Sequence, residues 1–118
     1  MAQHILVVED DDATRYAIAR TLEAAGYEVS QAHDYRDALP IVEGHDPLDL
    51  LVVDLVMPGV NGFALARMAH LRRHDLKVVY VTGYDDIPVD EAMGPILHKP
   101  VTPDTLVETI RRELSAEA

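Results

Sequence analysis

The chain has 118 residues, 48% of them hydrophobic, which fits one globular domain with a single core. Its formal net charge of −11 argues against non-specific binding to nucleic acids and against anionic membranes, because both require a basic surface. The sequence has no cysteine, which excludes disulfides and zinc-thiolate sites. No apolar run is long enough to span a membrane or resembles a signal peptide, so we expect a cytoplasmic protein without membrane insertion.

The first quarter of the chain predicts a strand, a helix and a second strand. Ile5–Val8 is an apolar run that predicts strand 1, and four acidic residues, 9–12, close it. A helix is predicted over Asp12–Ala25, with an aspartate as N-cap and Gly26 as its stop. Glu28–Ala32 predicts a short, more polar strand 2 of the kind found at a sheet edge. The spacing of three apolar residues predicts the buried face of the helix: Ile18, Leu22 and Ala25.

The second helix is predicted over Tyr35–Glu43, with Asp34 as its cap. Pro40 lies inside this window, and an interior proline removes a hydrogen bond at a cost of ~3 kcal/mol. We therefore expect this helix to start late, to kink or to be short. Strand 3 is predicted over Leu48–Asp54, where a continuous apolar run indicates burial on both faces. A turn rich in glycine and proline then runs to Gly62.

The second half of the chain continues the alternation. Phe63–Arg73 predicts helix 3, Lys77–Thr82 strand 4 and Ile96–Leu97 a minimal strand 5. The last helix has a strong start signal, with Thr102 as N-cap and Pro103 at the first position. Its buried stripe is predicted to consist of Leu106, Ile110 and Leu114.

Strands alternating with helices predict an α/β fold with one parallel sheet, helices on both faces and right-handed crossovers. The flavodoxin-like doubly wound order 2-1-3-4-5 fits this pattern and places a ligand crevice between strands 1 and 3. We expect one five-stranded domain that covers residues 1–118.

Ionisable and hydroxyl side chains follow four of the predicted strands. Strand 1 ends in Glu9 and Asp10, strand 3 in Asp54, strand 4 in Thr82, and strand 5 is followed by Lys99. Because the carboxyl ends of parallel strands share one edge, three carboxylates should meet there, and a cation would relieve their repulsion. Oxygen ligands suit Mg²⁺ or Ca²⁺, and Mg²⁺ is preferred with phosphate substrates. The pattern predicts phosphoryl transfer onto Asp54, giving an aspartyl phosphate.

Four motifs in this order resemble the receiver domain of two-component response regulators. They are ILVVEDD at 5–11, VVDLVMPGVNG at 52–62, VVYVTGY at 78–84 and HKPV at 98–101. The resemblance runs over essentially the whole chain. It implies a phosphorylation-dependent signalling domain that is not an enzyme in its own right and catalyses only its own phosphorylation and dephosphorylation.

The resemblance also assigns roles. Asp54 is similar to the phosphoacceptor of the family. Asp10 would bind Mg²⁺ directly and Glu9 through water, and the backbone carbonyl of Val56 would be a further ligand. The remaining matches are the inward-turning hydroxyl of Thr82 and the amine of Lys99, with a cis bond before Pro100. The phosphoryl donor would be a histidine kinase, a histidine phosphotransfer protein or a small donor such as acetyl phosphate. Output would act through a downstream protein target.

Two features depart from the family pattern. Ile96 occupies the position, three residues before Lys99, where the family usually has Tyr or Phe as a switch coupled to the threonine. The segment between Thr82 and Lys99 is also shorter than usual by more than a helical turn. We therefore expect the fourth helix of the family to be a single turn near Val89–Met93, or a loop. Such shortening is typical of receivers in hybrid histidine kinases and of stand-alone receivers.

Two other functions are compatible with part of this pattern. One is a Mg²⁺-dependent aspartyl-phosphate hydrolase, but enzymes of the haloacid-dehalogenase type require a second aspartate two residues after the nucleophile. Val56 occupies that position here. The other is an interaction module that has the receiver fold but is not phosphorylated, which the intact set of site residues argues against.

Overall fold

The computed structural model of the protein describes residues 2–85 and 87–115, and within them strands and helices alternate as the sequence predicts. In chain order the elements are β1 His4–Val8, α1 Asp12–Ala24, β2 Glu28–Ala32, α2 Tyr35–Glu43, β3 Leu50–Asp54, α3 Gly62–Arg72, β4 Lys77–Thr82, β5 Ile96–His98 and α4 Pro103–Ser115. A single 3₁₀ turn, Val89–Glu91, lies between β4 and β5.

The five strands form one parallel sheet in the order β2-β1-β3-β4-β5. This order confirms the predicted flavodoxin-like fold. The register pairs Val8 with Val53 and Asp54 with Val81, so the chain leaves β1, β3 and β4 at one edge of the sheet. That edge is where open α/β sheets place their ligand sites.

Alternation along the strands divides the core between the two faces of the sheet. Leu6 and Val8 pack with residues of α2 and α3 on one face, and Ile5 and Val7 pack with residues of α1 and α4 on the other. All five residues of β3 are buried. Burial on both faces explains why the strands read as continuous apolar runs.

Side-chain caps fix where the helices begin. Asp11 accepts a hydrogen bond from the Thr14 amide at the start of α1, and Asp34 caps α2 in the same way. Thr102 Oγ1 accepts from the Thr105 amide at the start of α4, as predicted. Such caps satisfy amides that have no partner within the helix.

Several predicted details differ from the structure, and some are small shifts of a boundary: β1 begins at His4, α3 spans Gly62–Arg72 and β5 extends to His98. Ala25 is exposed because α1 ends at Ala24, so only the first two members of the predicted face are buried. The late start predicted for α2 is wrong, since the helix begins at Tyr35 and continues through Pro40. Pro40 is exposed, so water can satisfy the carbonyl that its missing N–H leaves free. Strand β3 begins at Leu50, two residues later than predicted.

The segment 87–95 is compressed into one 3₁₀ turn, as the short spacing predicts. Gly94 lies directly against β4, because a Cβ built on it would be 1.8 Å from the Val78 carbonyl oxygen. The amide of Tyr80 donates to the Pro95 carbonyl at 2.9 Å. Close backbone contact with β4 thus replaces the packing of a longer helix. None of the helices in the described ranges is long and apolar enough to cross a membrane.

Candidate functional site

Three carboxylates meet where β1 and β3 end. Glu9 is fully buried, Asp54 is 4% exposed and Asp10 is exposed. One oxygen from each of the three lies within 4.8 Å of the other two. Carboxylates this close repel each other strongly when water is excluded, so a nearby cation, or a proton bound to one of the acids, stabilises the arrangement.

Lys99 supplies a positive charge to this cluster. Its Nζ donates a hydrogen bond to Oδ2 of Asp54 at 3.1 Å and lies 2.5 Å from Oε1 of Glu9. Burial lowers the pKa of Lys99, but its contacts with Glu9 and Asp54 outweigh this effect and raise the pKa above its ordinary value. The amine is therefore charged at neutral pH. The peptide bond from Lys99 to Pro100 is cis, as the resemblance implies.

The backbone around Asp54 holds its carboxylate at the end of β3. Oδ1 of Asp54 accepts a hydrogen bond from the Val56 amide at 3.0 Å. Gly62 packs behind the strand end, where a Cβ would be 2.5 Å from the Asp54 carbonyl oxygen. A side chain at position 62 would displace Asp54, so the loop requires glycine there.

Thr82 is fully buried at the end of β4, one strand along from Asp54. Its Oγ1 accepts a hydrogen bond from the Tyr84 amide at 3.1 Å. The backbone amide of Lys99 donates to the Thr82 carbonyl at 2.7 Å, so the hydroxyl and the amine are fixed to the same sheet edge. A hydroxyl that accepts a bond in this way still has its own proton to donate to a ligand.

Glu9 is a fully buried acid whose pKa is raised. Burial, and then its hydrogen bond with Asp54, raise the pKa of Glu9 from 4.5 to about 7. Oε2 accepts from the Asp11 amide at 3.1 Å, whereas Oε1 is a buried oxygen that accepts no well-aligned hydrogen bond from any described residue. Its contact with Lys99 is therefore an ion pair without the angles of a hydrogen bond.

The residues present fit a hard divalent cation. The cluster offers only oxygen ligands, and a buried carboxylate oxygen without a hydrogen bond is the kind of atom that a cation or its bound water satisfies. One open side, at the exposed Asp10, leaves room for the waters and phosphate oxygens that Mg²⁺ retains.

The structure brings together most of the residues that the sequence singled out. Glu9, Asp10, Asp54 and Lys99 form one cluster, and Thr82 lies at the adjacent strand end. The observed contact of Val56 is through its amide, and the predicted role of its carbonyl stays a prediction.

Sequence reasoning missed two residues near the site, Arg15 and Tyr80. Arg15 is buried beside Glu9 and Asp12, and its spacing of three from Asp12 on a helix was an available signal. Tyr80 is fully buried within β4. A tyrosine inside an apolar strand needs a partner for its hydroxyl, which was the signal in that case.

The fold and the site define a flavodoxin-like domain with an acidic cluster, a lysine and a threonine at the carboxyl edge of its sheet. Residues 5–111 match the family of the response regulator receiver domain, and the chain belongs to that family. It is thus a receiver domain of two-component systems.

Similar proteins include regulators and a kinase. The C4-dicarboxylate transport transcriptional regulatory protein DctD of Pseudomonas aeruginosa is 35% identical over 93% of this chain. The sensor kinase CckA of Brucella abortus and the response regulator MprA of Mycobacterium bovis are also similar to this chain. The chain spans 25% of the length of DctD, 13% of CckA and 50% of MprA. The crystal structure of the receiver domain of the hybrid histidine kinase CckA is 37% identical, with a TM-score of 0.84, covering 95% of this chain and 99% of that one.

Two further solved neighbours contain ligands. A response regulator from Burkholderia pseudomallei has a phosphorylated aspartic acid, a calcium ion and citrate; it is 25% identical with a TM-score of 0.82, covering 96% of this chain and 69% of that one. The response regulator TrrA from Thermotoga maritima is in complex with Mg²⁺-BeF; it is 28% identical with a TM-score of 0.80, covering 93% of this chain and 97% of that one.

Proposed function

We propose that this receiver domain accepts a phosphoryl group on Asp54 in a Mg²⁺-dependent reaction and passes the signal on by protein–protein contact. One observation carries the proposal. The carboxylate of Asp54 is held at the end of β3 within an all-oxygen cluster and 3.1 Å from the amine of Lys99. That combination supplies a nucleophile, a cation site and a positive charge for the incoming phosphoryl oxygens.

In the proposed reaction, an oxygen of Asp54 attacks the phosphorus atom of a phosphohistidine. A phosphorus–oxygen bond forms while the phosphorus–nitrogen bond breaks, and the imidazole leaves with the electron pair and takes up a proton. When bound, Mg²⁺ neutralises charge on the phosphoryl oxygens. The ligands for it would be Asp10 and Asp54, with Glu9 acting through water and the Val56 carbonyl completing the set.

Lys99 and Thr82 complete the proposed chemistry. Lys99 already pairs with Asp54, so its amine is placed to form an ion pair with the phosphoryl group once that group is attached. The proton of the Thr82 hydroxyl can be donated to another phosphoryl oxygen. Breaking its present bond with the Tyr84 amide would couple phosphorylation to the chain that follows β4.

The donor that fits is a histidine kinase or a histidine phosphotransfer protein, with the domain acting in the cytoplasm. The CckA receiver supports a donor of this kind, because it is a receiver domain of a hybrid histidine kinase. The neighbours that contain a phosphorylated aspartic acid or Mg²⁺-BeF support the acceptor and the cation. We propose no direct binding to nucleic acid. The extent of the domain, residues 1–118, remains a prediction.

Intact mass measurement after incubation with acetyl phosphate and Mg²⁺ tests the acceptor. We expect one added phosphate on the wild type and on Asp75→Asn, an exposed aspartate in the loop before β4, and none on Asp54→Asn. A phosphate that remains on Asp54→Asn would place the acceptor elsewhere. A wild type that is never labelled and releases no phosphate would favour an interaction module, and release of phosphate without any detectable labelled chain would favour a hydrolase.

A further inference from the structure

Four polar or charged side chains are buried among the residues that the structure describes: Glu9, Arg15, Asp54 and Thr82. Three of them belong to the candidate site. Arg15, on the first turns of α1, has been given no role by the proposed chemistry, although it is only 8% exposed. Burying a guanidinium is costly unless it is paired and hydrogen-bonded. The partners of Arg15 therefore indicate which part of the structure the buried side chain stabilises.

The guanidinium of Arg15 ties the start of α1 to the end of β1. Nη1 donates a hydrogen bond to the backbone carbonyl of Glu9 at 2.9 Å, and Nη2 donates to Oδ1 of Asp12 at 2.7 Å. The guanidinium also lies 5.3 Å from the centre of the Tyr16 ring. The planar fork of arginine makes both hydrogen bonds at once, which the single ammonium of lysine reproduces poorly.

The carbonyl that Arg15 holds belongs to the peptide joining Glu9 to Asp10. A shift of that peptide away from Arg15 would move the backbone from which both acidic side chains extend. Glu9 is also held by three other contacts: its amide donates to the Ala32 carbonyl, its Oε2 accepts from the Asp11 amide, and its Oε1 pairs with Lys99. The exposed side chain of Asp10 depends on the placement of this backbone, since the structure gives it no hydrogen bond among the described residues.

We propose that Arg15 is a positioning residue that preorganises Glu9 and Asp10 for the divalent cation by holding the peptide between them in place. This inference rests on the proposed function. Residues that orient the ligands of a metal without touching it typically change metal affinity 10–100-fold when they are replaced. A purely structural Arg15 would instead affect folding stability and leave the Mg²⁺ affinity of the folded protein unchanged.

The test is a Mg²⁺ titration of the folded protein followed by amide chemical shifts of residues 9–12, with Arg15→Gln, Arg15→Lys and a control, Arg20→Gln. Arg20 is exposed on the same helix. We expect Arg15→Gln to weaken Mg²⁺ binding about tenfold or more, and Arg20→Gln to bind like the wild type. Arg15→Lys can keep one hydrogen bond but lacks the planar fork that makes both, so it should lie between them.

Phosphorylation by acetyl phosphate provides a second measurement. The Mg²⁺ concentration for half-maximal labelling should rise in Arg15→Gln, while labelling at saturating Mg²⁺ should return to near the wild-type rate. A folded Arg15→Gln with wild-type Mg²⁺ affinity would overturn the inference, and Arg15→Lys carries the same test if the glutamine variant does not fold. A wild type that binds no Mg²⁺ would overturn the proposed function and this inference together; unchanged affinity in the variant overturns this inference alone.

Discussion

The hydroxyl of Tyr80 accepts a hydrogen bond from the Met93 amide at 3.2 Å, and this contact attaches the segment 87–95 to β4. The ring of Tyr80 packs against Phe63 with centroids 5.1 Å apart. In the sheet register Tyr80 lies opposite Ile96, the position where the family usually has an aromatic residue. The neighbouring strand thus supplies an aromatic side chain beside that position, two residues before Thr82 and on the same face of β4.

Tyr80→Phe removes this hydroxyl and keeps the ring. We expect hydrogen exchange at the Met93 amide to accelerate, and the free energy of unfolding to fall by about 1 kcal/mol, the usual contribution of one hydrogen bond. Tyr84→Phe is the matched control because Tyr84 is 60% exposed. Exchange at Met93 that is equal in wild type and Tyr80→Phe would show that the hydroxyl does not hold the segment.

Gly94→Ala should destabilise the fold through a backbone clash. The new methyl group would overlap the Val78 carbonyl oxygen, and relieving that overlap requires the segment to move away from β4. Overpacking of this kind costs about 1–3 kcal/mol or more, measurable as a lower midpoint of urea unfolding. Gly83→Ala is the control, because a Cβ there meets no atom within 4 Å. Equal midpoints for the two variants would contradict the close packing of Gly94.

Without a divalent cation, the stability of the fold should decrease as the pH rises from about 4.5 to about 7. Burial raises the pKa of Glu9 from 4.5 to about 7, so within this window the folded chain binds a proton that the unfolded chain has lost. More protons bound to the folded state means that stability falls with pH, at up to ~1.4 kcal/mol per pH unit for one group.

Glu9→Gln removes this titrating group and isolates its contribution. The difference in unfolding free energy between wild type and Glu9→Gln, measured in EDTA from pH 5 to pH 8, should shift in favour of the variant up to about pH 7 and then level off. A difference that does not change with pH would mean that Glu9 keeps its ordinary pKa in the folded chain.

Mg²⁺ should raise the melting temperature, because the cluster of Glu9, Asp10 and Asp54 exists only in the folded chain. At ten times the dissociation constant the stabilisation is about 1.4 kcal/mol. The shift should be larger at pH 8 than at pH 6, since binding requires Glu9 to lose its proton.

Asp10→Asn should greatly reduce the shift, and addition of EDTA should reverse it. Asp75→Asn and a monovalent salt of the same ionic strength serve as controls. If the monovalent salt gives an equal shift, the effect is general screening of the acidic surface and not a site.

The main elements could be predicted because their signals are local. Continuous apolar runs fixed β1, β3 and β4, and the alternation of elements determined which strand ends meet. The candidate site followed, because a carboxylate or lysine directly after a strand must lie at the sheet edge whatever its rotamer. Asp54 and Lys99 are 45 residues apart in sequence, yet the topology alone brings them together.

What could not be predicted depends on the direction of individual side chains. Arg15 could have extended into solvent like most arginines, and only the folded turn shows its guanidinium between the Glu9 carbonyl and Asp12. In the sequence, Tyr80 is one more residue of an apolar strand. Only the folded structure shows the backbone of 87–95 beside its hydroxyl. Pro40 led to the wrong prediction of a late start for α2, because helix propensity does not show that this side of the helix faces water.

The assembly of the site from four strand ends has a consequence during synthesis. A nascent chain that has emerged only as far as β4 contains the carboxylates but not Lys99, because that residue follows β5. The acidic cluster then lacks the amine that pairs with both Asp54 and Glu9, and β4 is left as the unpaired edge of the sheet. Because domains fold as units, we expect the complete cluster of Glu9, Asp10, Asp54 and Lys99 to form only after β5 has been synthesised.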